Sequence, residues 1–507
     1  MHTTETALPW VWTSAILLFG LVQVLLLAYS AHRLLTLRRW RRRAGNVVAA
    51  TALPMPLPSV TVQLPIYNER AVVERLIDAA AALDYPRDLL QVQVLDDSTD
   101  ETTARARNRV QHWQAGGVAI ELIHRADRAG YKAGALAAGF ERSTGEILVV
   151  FDADFVPPPD FLRRIVPRFA DPGIGMVQAR WTHLNRDRST LTAAQAVMLD
   201  AHFLLEHEAR MAAGLFFNFN GTAGAWRREC IEDAGGWTHD TLTEDLDLSY
   251  RAQLRGWRFV SAADIEVPAE LPSDVLALKS QQRRWAKGSI QTARKVLPAL
   301  LRSRLPAPVK LEAVMHLTAN VAYPLLLLSG LLLPAVIGVP TSLPPAIGVA
   351  LDVSAIVAGV LPVVAFLYAG QAAAGMARSR RAGDIVSALL VGAGLTVNNS
   401  LAVIGGLGRQ LGDWERTPKT GEESGRTGQA AYRGRPDPAT ALEIGFAALF
   451  AVVAFGAWRL GHARSVPFLL LLACGLGYVG ALSLLSSLRR GAPIMADGLN
   501  PRIEEHA

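Results

Sequence analysis

Cysteine is nearly absent from these 507 residues: Cys230 and Cys474 lie far apart, the second inside an apolar run. Two such residues rule out a disulfide scaffold and a cysteine-rich zinc module. Charge is sparse too, at 19% of residues against 50% hydrophobic. Disorder is thereby excluded, because this composition can bury a large core. No lysine or arginine precedes the first apolar run, residues 9–31, and the run itself carries no charge. A secretory signal has its basic residues ahead of the apolar core, so a retained membrane helix is expected instead, long enough for about 30 Å of hydrocarbon. The basic residues come afterwards, as Arg33, Arg38, Arg39, Arg41, Arg42 and Arg43. The net charge of +6 and pI near 9.5 are therefore read as a membrane-facing excess and not as a nucleic-acid surface. The positive-inside rule places the N-terminus outside and the following residues in the cytoplasm.

Four further apolar stretches follow a soluble middle: 312–338 and 345–370, separated by an uncharged turn, then 439–458 and 465–487. A fifth, 385–408, has Arg378, Arg380 and Arg381 before it and Arg409, Arg416 and Lys419 after it. Crossing would leave one basic cluster outside, and its interior Asn398, Asn399 and Ser400 are costly in hydrocarbon. It is expected to lie as an interfacial helix on the cytoplasmic side. The count is then five spans.

The soluble middle alternates short β-rich runs with helical patterns. Strands are expected at 59–64, 91–95, 119–124 and 146–151, with Asn68 opening the first helix. This alternation predicts a mostly parallel sheet with helices on both faces. Ligands of such sheets bind beyond the carboxyl ends of the strands. There the second strand runs into Asp96-Asp97-Ser98, and the fourth into Asp152-Ala153-Asp154. Residues i and i+2 of an extended segment face the same way, so Asp152 and Asp154 suit a hard divalent cation that also holds phosphate. Acidic residues at strand ends also serve simply to cap the next helix. Gly130 and Gly134 bracket Lys132 at a helix entrance, a phosphate-cradling pattern or an ordinary glycine turn. Thr243-Glu244-Asp245 opens another helix, with Thr243 as its N-cap and Asp245 either a helix-dipole partner or a general base. Gln281-Gln282-Arg283-Arg284-Trp285 lies in a basic amphipathic stretch ahead of the second span.

Taken in order, DDS, RAGYKAG, DAD, TED and QQRRW resemble the membrane-embedded family 2 glycosyltransferases of the cellulose synthase superfamily. QVLDDSTDET, GYKAGAL, FDADF, ARWTHLN, FFNFNGTAGAWRR and ELPSD resemble its mannan and glucomannan synthases in wording as well. The resemblance runs from about residue 60 to 419. It implies an α/β fold: a GT-A-type nucleotide-sugar-binding domain inserted between α-helical transmembrane segments. It implies that Asp96 and Asp97 contact the nucleotide base and ribose. Asp152 and Asp154 would bind the diphosphate and a Mg²⁺ or Mn²⁺ ion, with Asp154 the favoured ligand and Lys132 pairing with the same diphosphate. Asp245 would take the acceptor proton. Gln281, Arg284 and Trp285 match QxxRW, with Arg284 on the leaving group and Trp285 stacked on the acceptor sugar. Thr417 and Lys419, in Trp414-Glu-Arg-Thr417-Pro-Lys419, resemble a gating loop in which Trp414 and Arg416 depart from the usual residues. A cyclic-dinucleotide barrel after residue 488 and an N-terminal zinc domain are not expected.

The expected layout is a membrane helix with its basic flank (1–45), the cytoplasmic catalytic domain (55–273) and the amphipathic QxxRW segment (274–310). Two membrane helices follow (311–372), then an interfacial helix with the gating-like loop (373–436), two more membrane helices (437–490) and a cytoplasmic tail (491–507). The expected reaction is inverting hexosyl transfer from GDP-mannose or UDP-glucose to a growing β-glycan, with export through the cell membrane. His316, Asn320 and Tyr323 are candidates for lining the exit path or for packing between helices. The alternative is a glycolipid synthase whose acceptor is diacylglycerol or ceramide.

Overall fold

The computed structural model describes residues 7–42, 56–337, 345–408, 421, 437 and 439–491. Thr417 and Lys419 lie outside these residues. The seven strands are β1 (Val60–Ile66), β2 (Leu90–Asp96), β3 (Ile120–His124), β4 (Ile147–Val150), β5 (Ile174–His183), β6 (Gly224–Arg227) and β7 (Arg258–Ala269). They form one sheet in the order β3-β2-β1-β4-β6-β5-β7. β1 to β4 are parallel, as the strand–helix alternation predicts, with β1 between β2 and β4. β6 runs antiparallel to both β4 and β5, and β7 is parallel to β5. The carboxyl ends of β2 and β4 thus flank that of β1, where the strand order reverses and a crevice opens.

The central strands are buried on both faces, which explains why β4 reads as an unbroken apolar run. Val62, Leu64 and Val149 face one core layer with Ile165, while Leu148, Val150 and Met176 face another with Trp226. Asn68 does not open a helix. It sits at φ 55°, and its Oδ1 accepts the Thr99 N–H (2.8 Å), tying the β1 loop to the β2 turn; the helix starts at Val73.

Among the described residues, five helices are long and apolar enough to cross a membrane: Thr13–Arg42, Ala319–Ile337, Val349–Ala373, Ala439–Arg459 and Val466–Leu488. Large apolar side chains such as Leu17, Val452 and Phe455 remain exposed on them, a surface suited to hydrocarbon and not to water. The 312–338 stretch is not one straight helix. Ala307–Leu317 leads through a 3₁₀ turn into Ala322–Ile337. The 345–370 stretch breaks at Val360, just ahead of Pro362, whose missing N–H interrupts helical bonding. The 385–408 region is a pair of helices, Arg378–Gly394 and Thr396–Leu407, bent by 48°. Its Asn398 and Asn399 are fully buried, and Asn398 bonds to Arg283 and the Lys279 carbonyl instead of meeting lipid.

Candidate active site

The crevice at the strand ends is a cavity of about 140 Å³ that gathers Asp97, Lys132, Asp152, Asp154, Asp245, Gln281, Arg284 and Trp285. These residues come from segments nearly 190 positions apart (285 − 97 = 188). Asp96 is the exception among the described site residues. It is fully buried, with Oδ2 on His124 Nδ1 (2.9 Å) and Oδ1 accepting the Ser98 N–H (2.9 Å), so it shapes the turn and does not line the cavity. Asp97 faces the cavity in a bidentate pair with Arg125, whose Nε and Nη2 lie 2.7 and 2.5 Å away.

Gly130 adopts φ 71°, and a Cβ there would meet the Gly134 backbone at 3.2 Å. This tight left-handed turn starts the helix Tyr131–Arg142 and aims Lys132 at the cavity. Lys132 Nζ donates to Asp152 Oδ1 (2.5 Å) and to the Gly221 carbonyl (2.9 Å). Burial would lower its pKa, but Asp152 and Glu244 outweigh that effect and keep the ammonium charged. On the β4 side, the Asp152 N–H donates to Thr222 Oγ1 (2.8 Å), which fixes the start of the Asp-Ala-Asp turn, and Asp154 is buried against the same cavity.

Asp245 stands in the first turn of the helix Glu244–Leu254, where the backbone N–H of Leu246 reaches its Oδ1 (2.8 Å). Burial and then the charge of Glu244 push its pKa up to about 7, with Lys132 pulling the other way. Thr243 occupies the N-cap position of this helix, but its side chain makes no capping hydrogen bond. Its hydroxyl is 3.2 Å from Thr292 Oγ1, on the helix Val275–Arg302, so it joins two elements of the site. That second helix is capped by Asp274, whose Oδ1 accepts the N–H groups of Leu276 and Ala277. Gln281, Arg284 and Trp285 are spaced i, i+3, i+4 and share its cavity face. Burial lowers the pKa of the Arg284 guanidinium, opposed by Glu244, Asp152 and Asp245. Beside them, Lys279 is buried with Glu443 (2.8 Å) and Asp437 (2.7 Å), and Arg283 also reaches Asp437 (3.0 Å). The QxxRW helix is thereby clamped to the start of the helix Ala439–Arg459.

Several cavity residues lie inside the quoted motifs but carry no role in the motif reading. Gly221 adopts φ 83°, and a Cβ on it would lie 3.0 Å from Asp245 Oδ2 and 3.4 Å from Lys132 Nζ. Its neighbour Asn220, together with Trp181 and Glu244, lines the same space. The Asn-Gly pair, inside the quoted stretch FFNFNGTAGAWRR, is also a turn signal in an otherwise β-like run.

A cluster of carboxylates with no thiol or imidazole among the cavity-lining residues suits a hard cation. Among the described residues no group of three or more metal-ligating side chains is set to hold an ion by itself. Asp152 and Asp154 therefore fit an ion whose remaining ligands are oxygens from a bound substrate.

Residues 58–288 match the family described as "Glycosyltransferase like family 2". They are a family 2 glycosyltransferase domain. Over 252 residues the chain is 46% identical to glucomannan 4-beta-mannosyltransferase 2 of Arabidopsis thaliana, covering 49% of this chain and 47% of that protein. Glucomannan 4-beta-mannosyltransferase 1 of Oryza sativa subsp. japonica is 44% identical, over 49% of this chain and 48% of that protein. The match thus spans about half the length of these curated relatives. A solved mannosyltransferase from Pyrobaculum calidifontis, in complex with GDP-Man and Mn²⁺, is similar at 26% identity. It has a TM-score of 0.51 and covers 76% of this chain and 99% of that one.

Proposed function

We propose that this protein is an inverting membrane glycosyltransferase that moves mannose from GDP-mannose onto the end of a growing β-1,4-mannan or glucomannan. The observation that carries the reading is one cavity holding a carboxyl group with a pKa near 7, Asp245, beside the cations Lys132 and Arg284. A sugar hydroxyl is a weak nucleophile, and Asp245 accepts its proton as the new bond forms at the anomeric carbon. The departing nucleoside diphosphate gains charge in the same step, and Lys132 and Arg284 stabilise it. Asp154, with Asp152, would hold a Mg²⁺ or Mn²⁺ ion that neutralises part of that charge. Asp97 faces the nucleoside, while Asp96 supports it from within the turn. Gln281 and Trp285 hold the acceptor sugar. With Asp245 acting as base and no covalent step, the transfer is a single displacement with inversion. The relatives named for mannosyl transfer and the neighbour bound to GDP-Man support this choice of donor.

The same reading puts the catalytic domain in the cytoplasm, the N-terminus outside, and the chain in the cell membrane. A second cavity, of about 300 Å³, lies among the membrane helices and is lined by Tyr29, Ser30, Asn320 and Tyr323 alongside Leu26 and Phe366. Its hydroxyl and amide groups favour a polysaccharide product over a glycolipid, because a glycan must keep its hydroxyls bonded as it leaves water. His316 contributes elsewhere: its Nδ1 is bonded to the Tyr250 hydroxyl (2.8 Å). The test is a radiolabel assay on the full chain in lipid with Mg²⁺ or Mn²⁺, comparing GDP-mannose with UDP-glucose. Ethanol-insoluble label released by a β-mannanase is expected. Label confined to the organic phase would make the protein a glycolipid synthase, and label from UDP-glucose alone would overturn the donor assignment.

A further inference from the structure

Between the two cavities, the helix Thr190–Ala201 passes into a π-helical turn, His202–His207. Such turns are rare and place side chains where a regular helix cannot. Asn220 lines the catalytic cavity and Glu206 lines the membrane cavity. His202 bonds to both, with Nε2 at 2.9 Å from Asn220 Nδ2 and Nδ1 at 2.9 Å from Glu206 Oε2. An amide nitrogen only donates, so Nε2 accepts from Asn220 and Nδ1–H donates to the Glu206 carboxylate. That carboxylate stays ionised. Burial would raise its pKa, yet Arg210 and His202 hold it well below the ordinary range.

The relay is anchored at its far end. Arg210 Nε donates to Glu312 (3.0 Å), which also receives His32 Nε2 (2.9 Å) and Arg39 Nη1 (2.6 Å) from the first membrane helix. At the near end, the Asn220 backbone N–H donates to Gln178 Oε1 (2.8 Å). With its backbone N–H and Nδ2 both held, the Asn220 side chain presents one further polar atom, Oδ1, which is buried and has no partner among the described residues. A buried carbonyl oxygen is costly until a donor satisfies it, and a sugar hydroxyl is such a donor.

We propose that His202 is a positioning residue: held by Glu206, it sets the Asn220 amide so that Oδ1 accepts a hydroxyl of the acceptor sugar between Asp245 and the membrane cavity. This assignment rests on the glycosyl-transfer reading above. It acts on orientation and not on bond making, so its loss separates transfer from donor use. The full-length protein is assayed in lipid for sugar transfer and for hydrolysis of the donor. In His202→Leu, kcat for transfer is expected to fall about 10- to 100-fold with donor KM unchanged. The share of donor lost to water rises. His202→Gln, whose amide accepts from Asn220 and donates to Glu206, restores most of the rate. Asn220→Ala shows the same defect, and the double variant His202→Leu/Asn220→Ala is no worse than Asn220→Ala alone. Wild-type kcat and hydrolysis in His202→Leu would overturn the proposal, as would a Gln variant as poor as Leu or losses that multiply in the double variant. Failure of the underlying reading looks different: Asp245→Asn would then transfer sugar normally, whatever the state of His202.

Discussion

The catalytic cavity is walled by charges of both signs within a few ångströms, whereas the membrane cavity is walled by apolar side chains, hydroxyls and amides, with Arg33 and Glu206 the charged residues among the described lining. In the first, cations and carboxylates already hold one another, as Lys132 holds Asp152 and Arg125 holds Asp97. A charged substrate is accommodated there by exchanging partners, at little extra desolvation. In the second, an anionic nucleotide would find Arg33 as the one lining cation among the described residues, while a neutral hydroxylated chain would find hydrogen-bonding groups and apolar faces to stack on. On the function proposed above, donor chemistry belongs to the first space and product passage to the second.

Breaking the charged side is expected to have the larger effects. Asp245→Asn should lower kcat for transfer by about 10²- to 10⁴-fold while leaving donor binding intact, read by isothermal titration. The same variant should be more heat-stable than wild type at pH 8. The folded-state pKa of Asp245 lies near 7, above the ordinary carboxyl value of 3.8, so ionising it costs stability that accrues as pH rises from about 4 to 7. Asn carries no such cost, and the gap in Tm should close as the pH is lowered towards 4. Next comes Lys279→Met, which leaves Glu443 buried without its cation and should destabilise the fold by about 3–5 kcal/mol in a thermal or denaturant series. Gly221→Ala forces a side chain into a left-handed conformation and against Asp245. It should cost about 1–3 kcal/mol of stability and lower kcat with little change in donor affinity. Smallest in rate, Asn320→Leu should barely alter single-sugar transfer to a short acceptor but shorten the polymer, measured by gel filtration of the product. An unchanged chain length would remove the membrane cavity from the exit path.

What the sequence discloses follows the same division. Asp97, Asp152 and Asp154 are legible because a parallel strand ends in a short polar run where ligands bind, and Lys132 because Gly130 and Gly134 bracket it at a helix entrance. Gln281, Arg284 and Trp285 are legible as one face of a helix. Asp96 shows the limit of such reading, since adjacent aspartates on a turn point to different places, and only the His124 contact reveals which one faces inward. β5 to β7 were not foreseen, because β6 runs against the parallel order and its partners lie far off in sequence. The role of Gly221 depends on Asp245, 24 residues later, packing against it (245 − 221 = 24). The asparagines of 385–408 read as an obstacle to crossing hydrocarbon; in the fold they are buried, Asn398 against Arg283 and the Lys279 carbonyl and Asn399 against Asn398.

The central claim is that Asp245 is the base, and the pH dependence of kcat/KM for the donor tests it most directly. The free enzyme's base, with a pKa near 7, must be ionised to act. The profile should fall about tenfold per pH unit below 7 and level off above it, and the residual activity of Asp245→Asn should lose this dependence. A wild-type profile flat between about pH 5.5 and 8.5, or one that persists in Asp245→Asn, would contradict the assignment.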